Sequence, residues 1–343
     1  MSHAMAKLNE KNKFSLISIL FTMALLGCTT INNEFVVIAH RGASGYLPEN
    51  TLASKALAYG MGVDYIEQDV VITRDDKAVI FHDLYLERMT NVREMFEDRA
   101  RNDGHYYVLD FTLEEIQTLE LITRKNKFGE EQFPDRENLS SLSDKIPTFA
   151  QELSMLTSLN RKTGKSIGIY VEIKDPDWHL QNGKDISAIV LSILADYGYE
   201  NQDDDIFLQS FSATELKRLK KENATQLKTI QLIGENSWNE SPDDHNFLRT
   251  HDGLASIAKY ASGIAPRVEH VITGRDENGN LIVSDIVDRA HELGLIVHVH
   301  VLRTDSLPKY INSFDELVSM LRTIGVDGAF TDFPDILLEK ISK

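Results

Sequence analysis

Eight apolar, β-rich runs recur along the chain with helical patterns between most of them, and no other feature limits the fold so severely. They are "EFVVIAHRG" (34–42), "VDYIEQDVVIT" (63–73), "IGIYVEIK" (167–174), "IFLQSF" (206–211), "TIQLIG" (229–234), "SGIAP" (262–266), "LIVHVHV" (295–301) and "GAFTDF" (328–333). Such alternation predicts a parallel sheet covered by helices. A further run, "AVIFHD" (78–83), follows the second strand after only "RDDK". A parallel neighbour needs a crossover of roughly a dozen residues, so this run turns back as a hairpin. Eight parallel strands remain, as a TIM-like (β/α)8 barrel requires, with its active site at the C-terminal strand ends.

At 343 residues the chain is long enough for one such barrel. "PENTLASKALAYGMG" (48–62) reads as the first helix, with Thr51 near its start and Gly60 and Gly62 at its end. Residues 84–165 are polar, poor in strand signals and too long for a plain loop, which predicts a small insertion between the hairpin and the third barrel strand, over the barrel mouth. Within that span, "IPTFAQELSMLTSLN" (146–160) reads as the helix leading back into the barrel. The 53 acidic residues against 36 basic ones give a net charge of -17, which repels nucleic acid and anionic membrane surfaces.

Cys28 is the only cysteine, so neither an intramolecular disulfide nor a cysteine zinc site is available. It follows Lys7, Lys11, Lys13 and an uncharged apolar stretch (14–26), the layout of a secretory signal. That stretch is too short to span a bilayer comfortably. "LLGC" resembles a lipobox, so residues 1–28 are expected to direct export across the inner membrane and lipidation of Cys28. The product would be a periplasmic, outer-membrane or cell-surface lipoprotein, touching the membrane only through its anchor. An ordinary cleaved signal with an incidental cysteine is the alternative.

Glu67 and Asp69 lie two apart on the second strand and share a face, and Glu172 stands on the next parallel strand. Uncompensated, these carboxylates would repel one another and resist desolvation. A hard cation resolves the conflict, calcium or magnesium rather than zinc; a salt-bridged cluster is the structural alternative. His40 and Arg41 end the first strand, where Gly42 is expected to let a ligand approach the backbone. His82 ends the hairpin beside Asp83, a candidate partner for its ring. Two histidines, Arg41, Lys174 and a metal suit phosphodiester cleavage: one imidazole takes a proton, the other gives one, and the cations spread the phosphoryl charge.

"AHRGASGYLPENT", "EQDVVITRDDKAVIFHD", "YVEIK", "LQSF" and "FTDFPD" resemble the glycerophosphodiester phosphodiesterases, especially the periplasmic branch and its surface-lipoprotein relatives. The resemblance runs from about Val36 to the C-terminus. It implies a TIM-like barrel, a calcium ion and hydrolysis of small glycerophosphodiesters, such as glycerophosphocholine and glycerophosphoethanolamine, to sn-glycerol 3-phosphate and an alcohol. By the same resemblance, Glu67, Asp69 and Glu172 hold the metal, His40 and His82 are the acid and base, and Arg41, Lys174, Glu49 and Gln209 contact substrate. Similarity to phosphoinositide-cleaving barrels further suggests attack by a substrate hydroxyl through a cyclic phosphate.

"HVHVLR" departs from the proline and aromatic usual after the histidine near the seventh strand. Alternation puts His298 and His300 on one face, and His298 is expected to line the mouth with His300 deeper. Trp178 and Trp238 follow strands and either wall the site or are ordinary loop aromatics. His105, His245, His251, His270 and His291 carry no motif and are expected at the surface or in caps. Two other functions compete: a lipid-active phospholipase of the C or D type, against which the polar insertion offers no apolar rim, and an adhesin or binding lipoprotein on the same barrel. Retention of three acids and two histidines argues against loss of catalysis.

Overall fold

A computed structural model describes residues 35–136, 145–222 and 225–342. Residues 1–28, expected to form a signal segment ending at Cys28, lie outside the described residues. The strands are β1 (Val36–Ala39), β2 (Tyr65–Ile72), β3 (Ala78–Ile80), β4 (Gly168–Ile173), β5 (Ile206–Ser210), β6 (Lys228–Ile233), β7 (Gly263–Pro266), β8 (Ile272–Arg275), β9 (Leu281–Val283), β10 (Ile296–Leu302) and β11 (Gly328–Thr331). Eight are parallel, in the order β1, β2, β4, β5, β6, β7, β10, β11, and pairing of β1 with β11 closes the barrel. These are the eight runs expected from the sequence.

Alternation along each strand sorts the chain into interior and exterior. Ile38, Tyr170, Phe207, Ile230 and Phe330 fill the barrel interior. Two residues beyond Ile38, Tyr170, Phe207 and Phe330 stand His40, Glu172, Gln209 and Asp332, which places polar chemistry above an apolar floor, while Leu232 follows Ile230. The register keeps the rank level: Asp69 lies beside Glu172, and Glu172 beside Gln209. β3 runs antiparallel to the upper part of β2, with Ile80 opposite Val70. The Phe81 amide donates to the Asp69 carbonyl at 3.0 Å, so the hairpin brings His82 back down to the level of the carboxylates.

The helix Leu52–Met61 is capped by the Thr51 side chain, which accepts from the Ser54 amide, and ends at Gly62 in the left-handed region. Gly42 is needed for the packing of this helix. Its φ is +86°, and a Cβ there would lie 2.5 Å from the Ser54 hydroxyl and 2.9 Å from the Lys55 amide nitrogen. From the same helix, fully buried Lys55 donates to the Glu67 carbonyl and pairs at 3.4 Å with Glu152 of the helix Phe149–Thr163. Both helices are thereby tied to the outer side of β2, behind the carboxylates.

The insertion has its own core: Leu86, Met89, Val92, Phe111, Ile116, Leu121 and Ile146 pack against Val71, Val79 and Phe81 of the hairpin. In contrast, Phe149, Leu153 and Leu156 pack in the main core. The insertion therefore ends near Ile146 and not at Lys165, because the amphipathic helix after it covers the barrel. The small hairpin β8–β9 is absent from the expected elements. Its signal was an Asn-Gly turn between short apolar runs, at 278–279.

Candidate active site

At the C-terminal end of the barrel, Glu67, Asp69 and Glu172 offer carboxylate oxygens that all lie within 4.8 Å of one another, and all three residues are buried. The Glu67 carboxylate accepts from the Arg41 amide at 2.6 Å. Asp69 accepts from the Asn50 side chain at 2.8 Å, and its other oxygen, Oδ1, is buried with no protein partner. Lys174 pairs with Glu172 at 2.8 Å and with Glu240 at 3.2 Å.

Protonation shows how poorly the protein alone balances these charges. Burial, then repulsion from Asp69, pushes Glu67 well above the usual carboxylate range. Burial raises Glu172 to about 8, with Asp69 adding to the effect. Burial acts the same way on Asp69, but His82, Arg41 and Lys174 outweigh it and hold that group low. Carboxylates that cannot all ionise, beside orphaned oxygens on Asp69 and Gln209, fit a hard cation with oxygen ligands.

The two histidines are built alike. The His40 ring meets Asp332 through Nδ1 at 2.7 Å, and the His82 ring meets Asp83 through Nδ1 at 2.5 Å. A carboxylate only accepts, so Nδ1 carries the proton and Nε2 is left to exchange one. Burial, reinforced by Arg41, lowers His40 to about 4 against the pull of Asp332. His82 is lowered by burial, Arg41 and Lys174. Both rings are neutral near pH 7 in the absence of substrate, and a bound phosphodiester anion would favour their protonated forms.

Both rings line a cavity of about 290 Å³ together with Arg41, Glu67, Glu172 and Gln209. Lys174 reaches this group through Glu172. Glu49 holds Arg41 by an ion pair at 2.7 Å, so it supports the cavity from behind its wall.

His298 does not line it. Its ring is buried beneath, bonded at 3.1 Å to the Tyr170 hydroxyl, whereas His300 lines the cavity. The expected order was inverted: on a parallel strand the later residue is the one nearer the mouth. Trp238 lines the cavity, while Trp178 stacks on Tyr107 of the insertion at 5.3 Å. His245 and His270 are buried rather than at the surface, but His270 serves as a cap as expected, accepting from the Arg267 amide at 3.3 Å, and its other ring nitrogen bonds to Glu235.

Several supporting groups were not singled out from the sequence: Asn50, Arg124, Arg136, Glu240, Arg303 and Asp332. Asn50 carried a signal, since it sits in the left-handed region at φ 59°, which asparagine tolerates, beside the "PEN" turn. The arginines carried none, because their partners are distant in sequence.

A model of the glycerophosphoryl diester phosphodiesterase family matches residues 40–336, a span that includes both histidines, all three acids and the insertion. The chain belongs to this family. Glycerophosphodiester phosphodiesterases of Haemophilus influenzae and Treponema pallidum are 37% and 35% identical to it. Those matches cover 96% and 94% of this chain, and 98% and 95% of the relatives. Among solved structures, a Silicibacter pomeroyi chain shares the fold at 23% identity and a TM-score of 0.65, over 90% of this chain and 93% of that one. An Oleispira antarctica phosphodiesterase, solved with the product sn-glycerol-3-phosphate, shares it at 21% identity and a TM-score of 0.59, over 90% of this chain and 97% of that one. With the family comes the reaction class: the chain is a glycerophosphodiester phosphodiesterase, and binding and adhesion alone do not describe it.

Proposed function

We propose that the chain hydrolyses small glycerophosphodiesters, glycerophosphocholine and glycerophosphoethanolamine among them, to sn-glycerol 3-phosphate and an alcohol, with a divalent cation and two-histidine proton transfer. One observation carries this reading: three carboxylates with unbalanced charge cluster together, and two of them, Glu67 and Glu172, line a single cavity with two aspartate-oriented imidazoles. Glu67, Asp69 and Glu172 would hold the cation, calcium by preference, which when bound supplies Lewis-acid stabilisation of phosphoryl charge.

The chain's own groups do the rest. Arg41, in the cavity wall, meets the phosphate with fixed positive charge and is kept in place by Glu49, while Lys174 adds its charge from behind Glu172. One imidazole removes a proton from the attacking oxygen through Nε2 while the other delivers one to the departing alkoxide. A phosphodiester of modest size suits the cavity, and no helix among the described residues is long and apolar enough to cross a membrane.

Two substitutions separate the roles. His40→Ala should lower kcat on glycerophosphocholine by about 100-fold or more while leaving calcium binding by calorimetry intact. Glu67→Ala should lose both. Equal loss of metal binding in the two variants would contradict the assignment.

A further inference from the structure

The insertion contributes two arginines that reach the aspartates behind the two histidines. Arg124, only 7% exposed, donates through Nη1 to both oxygens of Asp83 at 3.1 and 3.0 Å. Its Nε and Nη2 donate to Glu49 at 2.8 and 2.7 Å, and the Glu49 oxygen that Nη2 meets also accepts from Arg41. Arg136 donates through Nη2 to Asp332 Oδ2 at 2.7 Å, while its Nη1 meets the Ser44 carbonyl at 3.2 Å and its Nε meets Asp305 at 2.7 Å. Each aspartate thus uses one oxygen on a histidine and is held by a guanidinium of the same inserted segment.

We propose that Arg124 and Arg136 are positioning residues which fix His82 and His40 through Asp83 and Asp332, so that the insertion is part of the acid-base apparatus. The inference rests on the two-histidine reading above. Its physical basis is desolvation: a buried carboxylate with a single histidine neighbour would draw a proton or turn away, and the ring would lose its Nδ1–H orientation. Burial works to raise Asp83, and Arg124, then His82 and Arg88, hold it well below the usual range. Asp332 is held low against burial by Arg303, His40 and Arg136.

The supports are unequal. Without Arg136, Asp332 keeps Arg303 at 2.6 Å. Without Arg124, Asp83 keeps among the described arginines only Arg88, at 3.4 Å, and Glu49 loses two hydrogen bonds. Arg124 should therefore matter more. Its planar fork serves two carboxylates at once, which a lysine cannot reproduce.

The test uses the full metal-loaded enzyme with Arg124→Gln, Arg124→Lys, Arg136→Gln and Arg136→Lys, followed by steady-state kinetics on glycerophosphocholine and nitrogen-15 NMR of the histidine rings. Arg124→Gln should lower kcat by about 10- to 100-fold with KM changed less than threefold, as for other partners that orient a functional imidazole. His82 should lose its pure Nδ1–H signature while His40 keeps its own. Arg136→Gln should do the reverse with a smaller loss of kcat, and each lysine variant should recover part of the loss. If a glutamine variant does not fold, the lysine variant at that position must still show the same selective ring change. Unaltered ring signatures with kcat within threefold of wild type, or losses confined to KM, would overturn the inference. His40→Ala and His82→Ala serve as the reference: if they turn over normally the two-histidine reading fails, whereas if they are inactive and the arginine variants are normal, only this inference fails.

Discussion

At the residue scale, the chemistry depends on where single side chains leave the strands. Glu67, Asp69 and Glu172 were legible because spacing on a strand fixes which face a residue takes, and the register then sets them side by side. Gly42 was legible as special, but its packing role was not. Its freedom lets the backbone turn against the start of the helix Leu52–Met61, and only the structure shows Ser54 and Lys55 filling the space. Gly42→Ala should cost roughly 1–3 kcal/mol from the positive φ alone, with the contact adding to it. Chemical denaturation checks this, and a loss below 0.5 kcal/mol, about the noise of a surface change, would show the contact to be relieved at no cost.

At the element scale, strand–helix alternation and the short "RDDK" turn made the barrel and its extra hairpin readable, since connection length restricts topology so strongly. Long-range partnerships were unreadable for the complementary reason. His40 meets Asp332 across nearly the whole sequence, and Arg124 meets Glu49 from an insertion that local patterning cannot dock. The boundary of that insertion also needed packing information, because Ile146 and Phe149, three residues apart, belong to different cores. The buried Lys55–Glu152 pair ties two helices to β2, and burial, with some repulsion from Asp69, pushes Glu152 upward despite Lys55. Lys55→Met should destabilise the fold by about 3–5 kcal/mol, since it strands a buried carboxyl, and adding Glu152→Leu should restore much of the loss. Urea denaturation of the single and double variants measures this; additive losses would show that the pair is not coupled.

At the scale of the whole molecule, three buried histidines make stability depend on acid. Burial lowers His40, His179 and His298 each to about 4 from an ordinary 6.5. The unfolded chain therefore binds more protons than the native one between those values, so stability is complete above about pH 6.5 and falls as pH drops toward 4. The loss approaches roughly 3 kcal/mol per histidine. Glu172, raised to about 8, acts in the opposite sense in chelated protein, stabilising it as pH falls from 8 toward 4.5. His298→Gln, which leaves the cavity lining intact, should flatten the fall between pH 6.5 and 4.5 relative to wild type, as read by denaturation midpoints. An unchanged slope would place its titration outside that range. The central claim is that one cation, seated among Glu67, Asp69 and Glu172, makes glycerophosphodiester cleavage at the two histidines effective. Turnover of glycerophosphocholine by the purified protein after EDTA, and again after calcium is returned, tests it most directly. Activity should vanish on chelation and return with calcium; turnover indifferent to EDTA, or no hydrolysis of any glycerophosphodiester once calcium is restored, would contradict it.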